Sequence, residues 1–191
     1  MLELRGLPRY REAVDHMRIE LNTRDCVVAV WEGIALGLWR GTTTVAAMKR
    51  SRQIVSDYAV ERGAPLMLLT VIEENAPLPA LEVRMEMVSF LKGSNGNAER
   101  HAIVFEGEGF RAASIRAVVA GVSLFSRPEY PYRICGSVGA AARFLTAGRS
   151  ARIAPHRVIR LVNEARRNVS TQTMVPWMMP ITLAKREARS R

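Results

Sequence analysis

A chain of 191 residues, 48% of them hydrophobic, is long and apolar enough to close one sizeable core, which excludes disorder throughout. The start, Met1-Leu2-Glu3-Leu4-Arg5, lacks the charged and apolar regions of a secretory signal, and no window approaches the roughly 18 apolar residues of a membrane span, so a cytoplasmic location is expected. The +10 charge is lopsided: from Gly148 onward ten Lys or Arg residues stand against only Glu164 and Glu187, a net of +8, which leaves +2 for residues 1–147. That asymmetry points to an anionic partner for the far end of the chain.

Residues 1–16 read as an irregular N-terminal arm broken by Pro8. Met17, Ile19 and Leu21 alternate as in a half-buried strand, Asn22–Asp25 turns the chain, and Cys26–Trp31 is a valine-rich strand buried on both faces. Glu32-Gly33 turns it again before a strand over Ala35–Trp39, which makes an antiparallel start. The hydroxyls of Thr42, Thr43 and Thr44 can cap a helix carrying Val45, Met48, Val55, Tyr58 and Ala59 on one face, which Gly63 ends. Leu66–Ile72 is a buried strand, and after Pro79 a helix runs to about Lys92 with Leu81, Met85 and Val88 facing inward.

Gly93–Asn97 reads as a loop, Ala102–Glu106 as a short strand, and Phe110–Phe125 as a helix with Ile115, Val118, Val119 and Val122 inside. A strand over Arg133–Val138 and a short helix over Gly139–Thr146 follow. Strands alternating with helices predict an α/β domain over residues 17–147, with a mixed, mostly parallel sheet and an antiparallel edge. Residues 148–191 form a basic C-terminal extension: an amphipathic helix over about 155–169, an apolar Pro/Trp/Met segment over 174–181, and a basic tail.

Over residues 17–147 the order of elements resembles the STAS-like (SpoIIAA-like, anti-sigma-factor-antagonist) superfamily. The strings that carry the likeness are Val27–Gly33, Leu66–Ile72, Ile103–Gly107 and Val138–Leu145. The resemblance implies a compact regulatory or scaffolding module that acts by binding other proteins. Well-known members place a phosphorylatable serine at the start of the helix after the central strand. The corresponding loop here, Glu73–Pro79, contains no hydroxyl residue, so a phosphate switch at that place is not expected.

Cys26 and Cys135 lie in apolar runs and read as buried thiols rather than a disulfide. His16, His101 and His156 have no ligand-spaced neighbours and read as exposed or capping residues, and Glu73-Glu74 as a solvated loop pair. No catalytic residue, metal ligand or cofactor is expected. Gly107, Gly109, Arg111, Ser114 and Arg116 make a candidate anion-binding turn at a helix start, with Glu108 opposing it. Candidate partner-binding residues are Arg157, Val158, Arg160, Val162, Arg166, Arg167 and Val169 on the helix, then Trp177, Met178, Met179, Lys185 and Arg186.

The expected function is therefore a non-enzymatic regulatory or adaptor protein that binds another protein or its own copy. Two alternatives stand beside it: nucleic-acid association through the +8 tail, and binding of a small molecule or lipid in an apolar pocket between helix and sheet.

Overall fold

The computed structural model describes residues 17–107, 109–147 and 153–168. The elements, in order, are β1 (Arg18–Asn22), β2 (Cys26–Trp31), β3 (Ile34–Trp39), α1 (Val45–Arg62), β4 (Leu66–Ile72), α2 (Leu81–Gly93), β5 (Ala98–Phe105), α3 (Gly109–Ser126), β6 (Tyr132–Cys135), α4 (Val138–Thr146) and α5 (Pro155–Arg167). Six strands make one sheet in sequential order, antiparallel from β1 through β3 and parallel from β3 to β6. The expected α/β architecture with an antiparallel edge is thus observed. Among the described residues no helix is long and apolar enough to cross a membrane.

Local chemistry explains most of these boundaries. Glu32 (φ 44°) and Gly33 (φ 87°) both adopt left-handed backbone, so two residues suffice to join β2 to β3, with Trp31 opposite Ile34. Thr44 caps α1 by accepting from the Ala47 amide at 3.1 Å, and Gly63 (φ 62°) ends that helix in the left-handed conformation a side chain resists. In β1 a register shift between Ile19 and Leu21 sends Leu21 to one face of the sheet, while Met17 and Ile19 pack on the other.

Right-handed crossovers stepping one way across the sheet put α1, α2 and α3 on a single face. The last two helices cover the opposite face. There Val158, Leu161, Val162 and Ala165 of α5 are fully buried and join Val138, Ala141, Ala142 and Leu145 of α4 over Val27, Ile34, Leu36, Leu69 and Val104. The amphipathic stripe expected of an extension is therefore a core layer. The boundary expected after Ala147 cuts that layer, and Val158 and Val162, expected at a partner surface, are interior because the sheet needs a cover on this side.

Two further expectations are corrected. On α2, Leu81 and Met85 are 71% and 62% exposed, while Val83 and Leu91 are the buried positions. The helix lies between α1 and α3, so its inner face is set by two helical neighbours rather than by a stripe facing the sheet. β5 begins at Ala98, four residues before the expected start, since Leu66 and Met67 of β4 pair with Ala98 and Arg100, with Glu99 at the irregularity between them. Arg100 in turn donates to the Phe144 carbonyl at 3.0 Å, close to the C-terminus of α4.

Candidate functional site

Beneath α1, α2 and α3 the sheet is not fully covered, and a cavity of about 80 Å³ remains. Its floor is written in the strand register. Gly37 of β3 pairs with Thr70 of β4, and Thr70 pairs with Ile103 of β5; one step along, Ala35 pairs with Leu68, Leu68 with His101, and His101 with Tyr132. Gly37 supplies no side chain, and a Cβ there would come within 3.1 Å of the Trp39 indole nitrogen, so the glycine leaves space that the indole borders. Met48 and Val55 of α1, Met87 and Phe90 of α2, and Val119 of α3 form the roof, with Pro77 and Pro79 from the β4–α2 connection.

Against that apolar lining stands one buried imidazole. His101 is 1% exposed, and its Nε2 lies 2.9 Å from Thr70 Oγ1. The rings of Tyr132, Phe90 and Tyr130 surround it, Tyr132 edge-on at 5.6 Å between centroids. His101 Nδ1 has no hydrogen-bond partner among the described residues. Burial among these rings lowers its pKa from 6.5 to about 3, so the ring is neutral across the physiological range. This position overturns the expectation of an exposed or capping histidine. The alternation His101, Ile103, Phe105 along β5 is the sequence signal that places it on a covered face, and Thr70 is the single polar residue in the run Leu66–Ile72.

No Asp, Glu, Lys or Arg is among the described residues that line the cavity. Its chemistry is accordingly that of an apolar space with a few neutral polar groups, chiefly Thr70, His101 and Ser51. Burial pushes the Cys26 and Cys135 thiols up, and both are free and buried. Among the described residues no group of three or more His, Cys, Asp or Glu side chains could hold a metal ion.

The residues expected at an anion-binding turn lie at the far end of β5. Gly109 takes φ 74° at the start of α3, and Arg116 is turned back onto the Gly107 carbonyl at 3.3 Å. Glu74 packs against Gly107, and the neighbouring carboxylates Glu73 and Glu106 both pair with Arg166, so this edge is bordered by acids. Glu73 is thus an ion-pair partner and not a free loop carboxylate. Ser114 is half-buried on α3, and the backbone of Arg111 lies in the same helix.

The cations of α5 are likewise engaged with the chain itself. Arg157 binds both oxygens of Glu32, at 2.9 and 3.1 Å, and lies 4.7 Å over the Trp31 ring. Arg166 reaches Glu73 at 3.2 Å and also bonds Glu106, Arg167 pairs with Glu164, and Arg160 is half-buried near Glu164. His156 is exposed at the first turn. His16, Val169, Trp177, Met178, Met179, Lys185 and Arg186 lie outside the described residues.

Comparison with protein-family models, with curated proteins and with solved structures finds no match.

Proposed function

We propose that this protein is a non-enzymatic binding module that holds a small, mostly apolar molecule between the sheet and α1–α3. The observation that carries the reading is the cavity itself: a covered face that leaves about 80 Å³ unfilled, floored by Gly37, Thr70 and His101, positions where larger aliphatic side chains would close it. A regulatory role of the STAS-like kind fits such a module, because an occupant between the helices would alter how α2 and α3 sit. Titration of the full chain with xenon or benzene, followed by backbone amide NMR, tests the reading. Shifts confined to residues such as Leu68, Thr70, His101 and Val119 are expected, and they should vanish in Val55→Phe and Val119→Phe. Unmoved amides in the wild-type protein would refute it.

A second reading, contact with another protein or a second copy, is favoured by Leu78, Leu81 and Met85, which place exposed apolar surface at the start of α2 beside Pro77 and Pro79. Light scattering over a hundredfold concentration range is expected to show self-association that Leu81→Glu and Met85→Glu remove. A wild-type monomer throughout, with no change in the double variant, removes self-association from this account. The nucleic-acid alternative rests on the basic residues from Gly148 onward, of which Arg149, Arg152, Lys185, Arg186, Arg189 and Arg191 lie outside the described residues.

A further inference from the structure

We infer that the apolar stripe on the outer side of α2 is the docking surface for a segment of the chain itself, Met174–Ile181, which covers it within one molecule. The inference goes beyond the ligand-binding reading, since it concerns the solvent side of α2 and not the cavity beneath it. It also names the occupant that a second copy would have to displace.

The stripe is a helical face that packing leaves outside. Leu81, Met85 and Val88 stand at i, i+4 and i+7. With α2 between α1 and α3, Val83 and Leu91 are buried, Leu81 and Met85 stay exposed and Val88 is half-buried. Leu78, 47% exposed, extends the surface onto the connection before the helix. Exposed apolar residues scattered singly need no explanation, whereas neighbours that form one surface mark a contact.

Size and position choose the occupant. Three exposed side chains present at most a few hundred Å², well below the roughly 800 Å² per partner of a standard stable interface, so the stripe is too small to hold a second copy tightly. A tethered segment needs less area, because a short linker holds it at an effective concentration of about mM. The tether is in place. α5 crosses the sheet from Arg157 on Glu32, in the β2–β3 turn, to Arg166 on Glu73 and Glu106, which directly follow β4 and β5. The chain therefore leaves α5 at the edge of the sheet where the connection to α2 starts. That connection stays folded: the Ala76 amide donates to the Glu73 carbonyl at 3.0 Å, and Arg84 Nε donates to the Pro79 carbonyl at 2.9 Å. Six residue steps lead from Asn168 to Met174, up to about 20 Å of extended chain.

Composition fits the same occupant. Met174, Val175, Trp177, Met178, Met179 and Ile181 supply apolar side chains, the thioethers adapt to an irregular surface, and Pro176 and Pro180 disfavour a helix, which suits the stretch to lying along another element. Lys185 and Arg186 follow it, and exposed Glu74 and Glu82 border the stripe.

The test uses the full chain with its three tryptophans replaced by 5-fluorotryptophan, each read by ¹⁹F NMR. Trp31 and Trp39 are buried, so their resonances report the core. At a concentration where light scattering finds a monomer, the Trp177 resonance is expected to move much less between H₂O and D₂O than that of free 5-fluorotryptophan. Leu81→Glu combined with Met85→Glu should lower the ratio of docked to free segment at least about tenfold, equivalent to about 1.4 kcal/mol. The Trp177 solvent shift should then approach that of the free amino acid, with Trp31 and Trp39 unmoved. A reciprocal variant, Trp177→Ser, removes the anchor from the other side and should shift the backbone amides of Leu81 and Met85.

A wild-type Trp177 with the full solvent shift overturns the inference. So does a protected Trp177 that the double variant leaves protected, because its cover then lies elsewhere. Protection that appears only where light scattering finds dimers also overturns it, because the occupant is then a second copy. Should the double variant disturb Trp31 or Trp39, the Trp177→Ser amides decide, and unmoved Leu81 and Met85 refute the docking. Failure of xenon or benzene to bind would remove the ligand-binding reading and leave each of these results unchanged.

Discussion

The two faces of the same sheet are built on opposite terms. Under α4 and α5 the buried side chains form one continuous cluster, from Val27 and Trp31 to Val162 and Ala165, clamped at the two ends of α5 by Arg157 on Glu32 and Arg166 on Glu73 and Glu106. Under α1, α2 and α3 the core divides into three clusters, with Gly37, Thr70 and His101 among the residues between them. Close packing is worth several kcal/mol to a domain, and each gap forfeits dispersion contacts. One face is therefore closed by a single continuous core, while the other keeps a space and a buried polar group.

The largest effect that would break this comparison is truncation. Removing everything after Ala147 deletes Val158, Leu161, Val162 and Ala165 and exposes the apolar face they cover. The shortened chain is expected to lose its cooperative thermal transition by circular dichroism. A truncated protein that melts like the full chain would show that α5 is dispensable to the fold.

Acid should act in part through the other face. The unfolded His101 ring takes up a proton near pH 6.5 and the folded ring only near about 3, so between these values the unfolded state binds more protons. The neutral ring's contribution is fully present above pH 6.5 and is lost progressively as the pH falls toward 3, on the order of a few kcal/mol. Urea denaturation across that range is expected to show the loss, and His101→Leu to flatten it. An unchanged slope in the variant would assign acid sensitivity to other groups.

A smaller difference sharpens the contrast. Val162→Ala in the continuous core should cost about 2 kcal/mol, whereas Val119→Ala beside the cavity should cost less than about 1, because Val119 already lacks neighbours on one side. Chemical denaturation measures both, and equal losses would mean that the two faces are packed alike.

How much of this is legible in sequence depends on how local the cause is. β2, β4 and both ends of α1 follow from contiguous apolar runs and from Thr44 and Gly63, whose effects reach only a few residues. The stripe of α5 is equally readable, but periodicity fixes which side of a helix is apolar and not what will cover it. For α2, apolar side chains at 81, 83, 85, 87, 88, 90 and 91 surround the helix too evenly to choose an inner face without its neighbours. The cavity is the least legible feature, since it depends on Gly37, Thr70 and His101 meeting across three strands that are distant in the chain.

Arg166 has a mechanical meaning beyond its ion pairs. Its guanidinium ties together the segment leading into α2 and the segment leading into α3, from the side of the sheet opposite the cavity. Any spreading of those two connections must stretch or release one of its two grips. The two sides of the molecule are in this respect geared to each other through one side chain of α5.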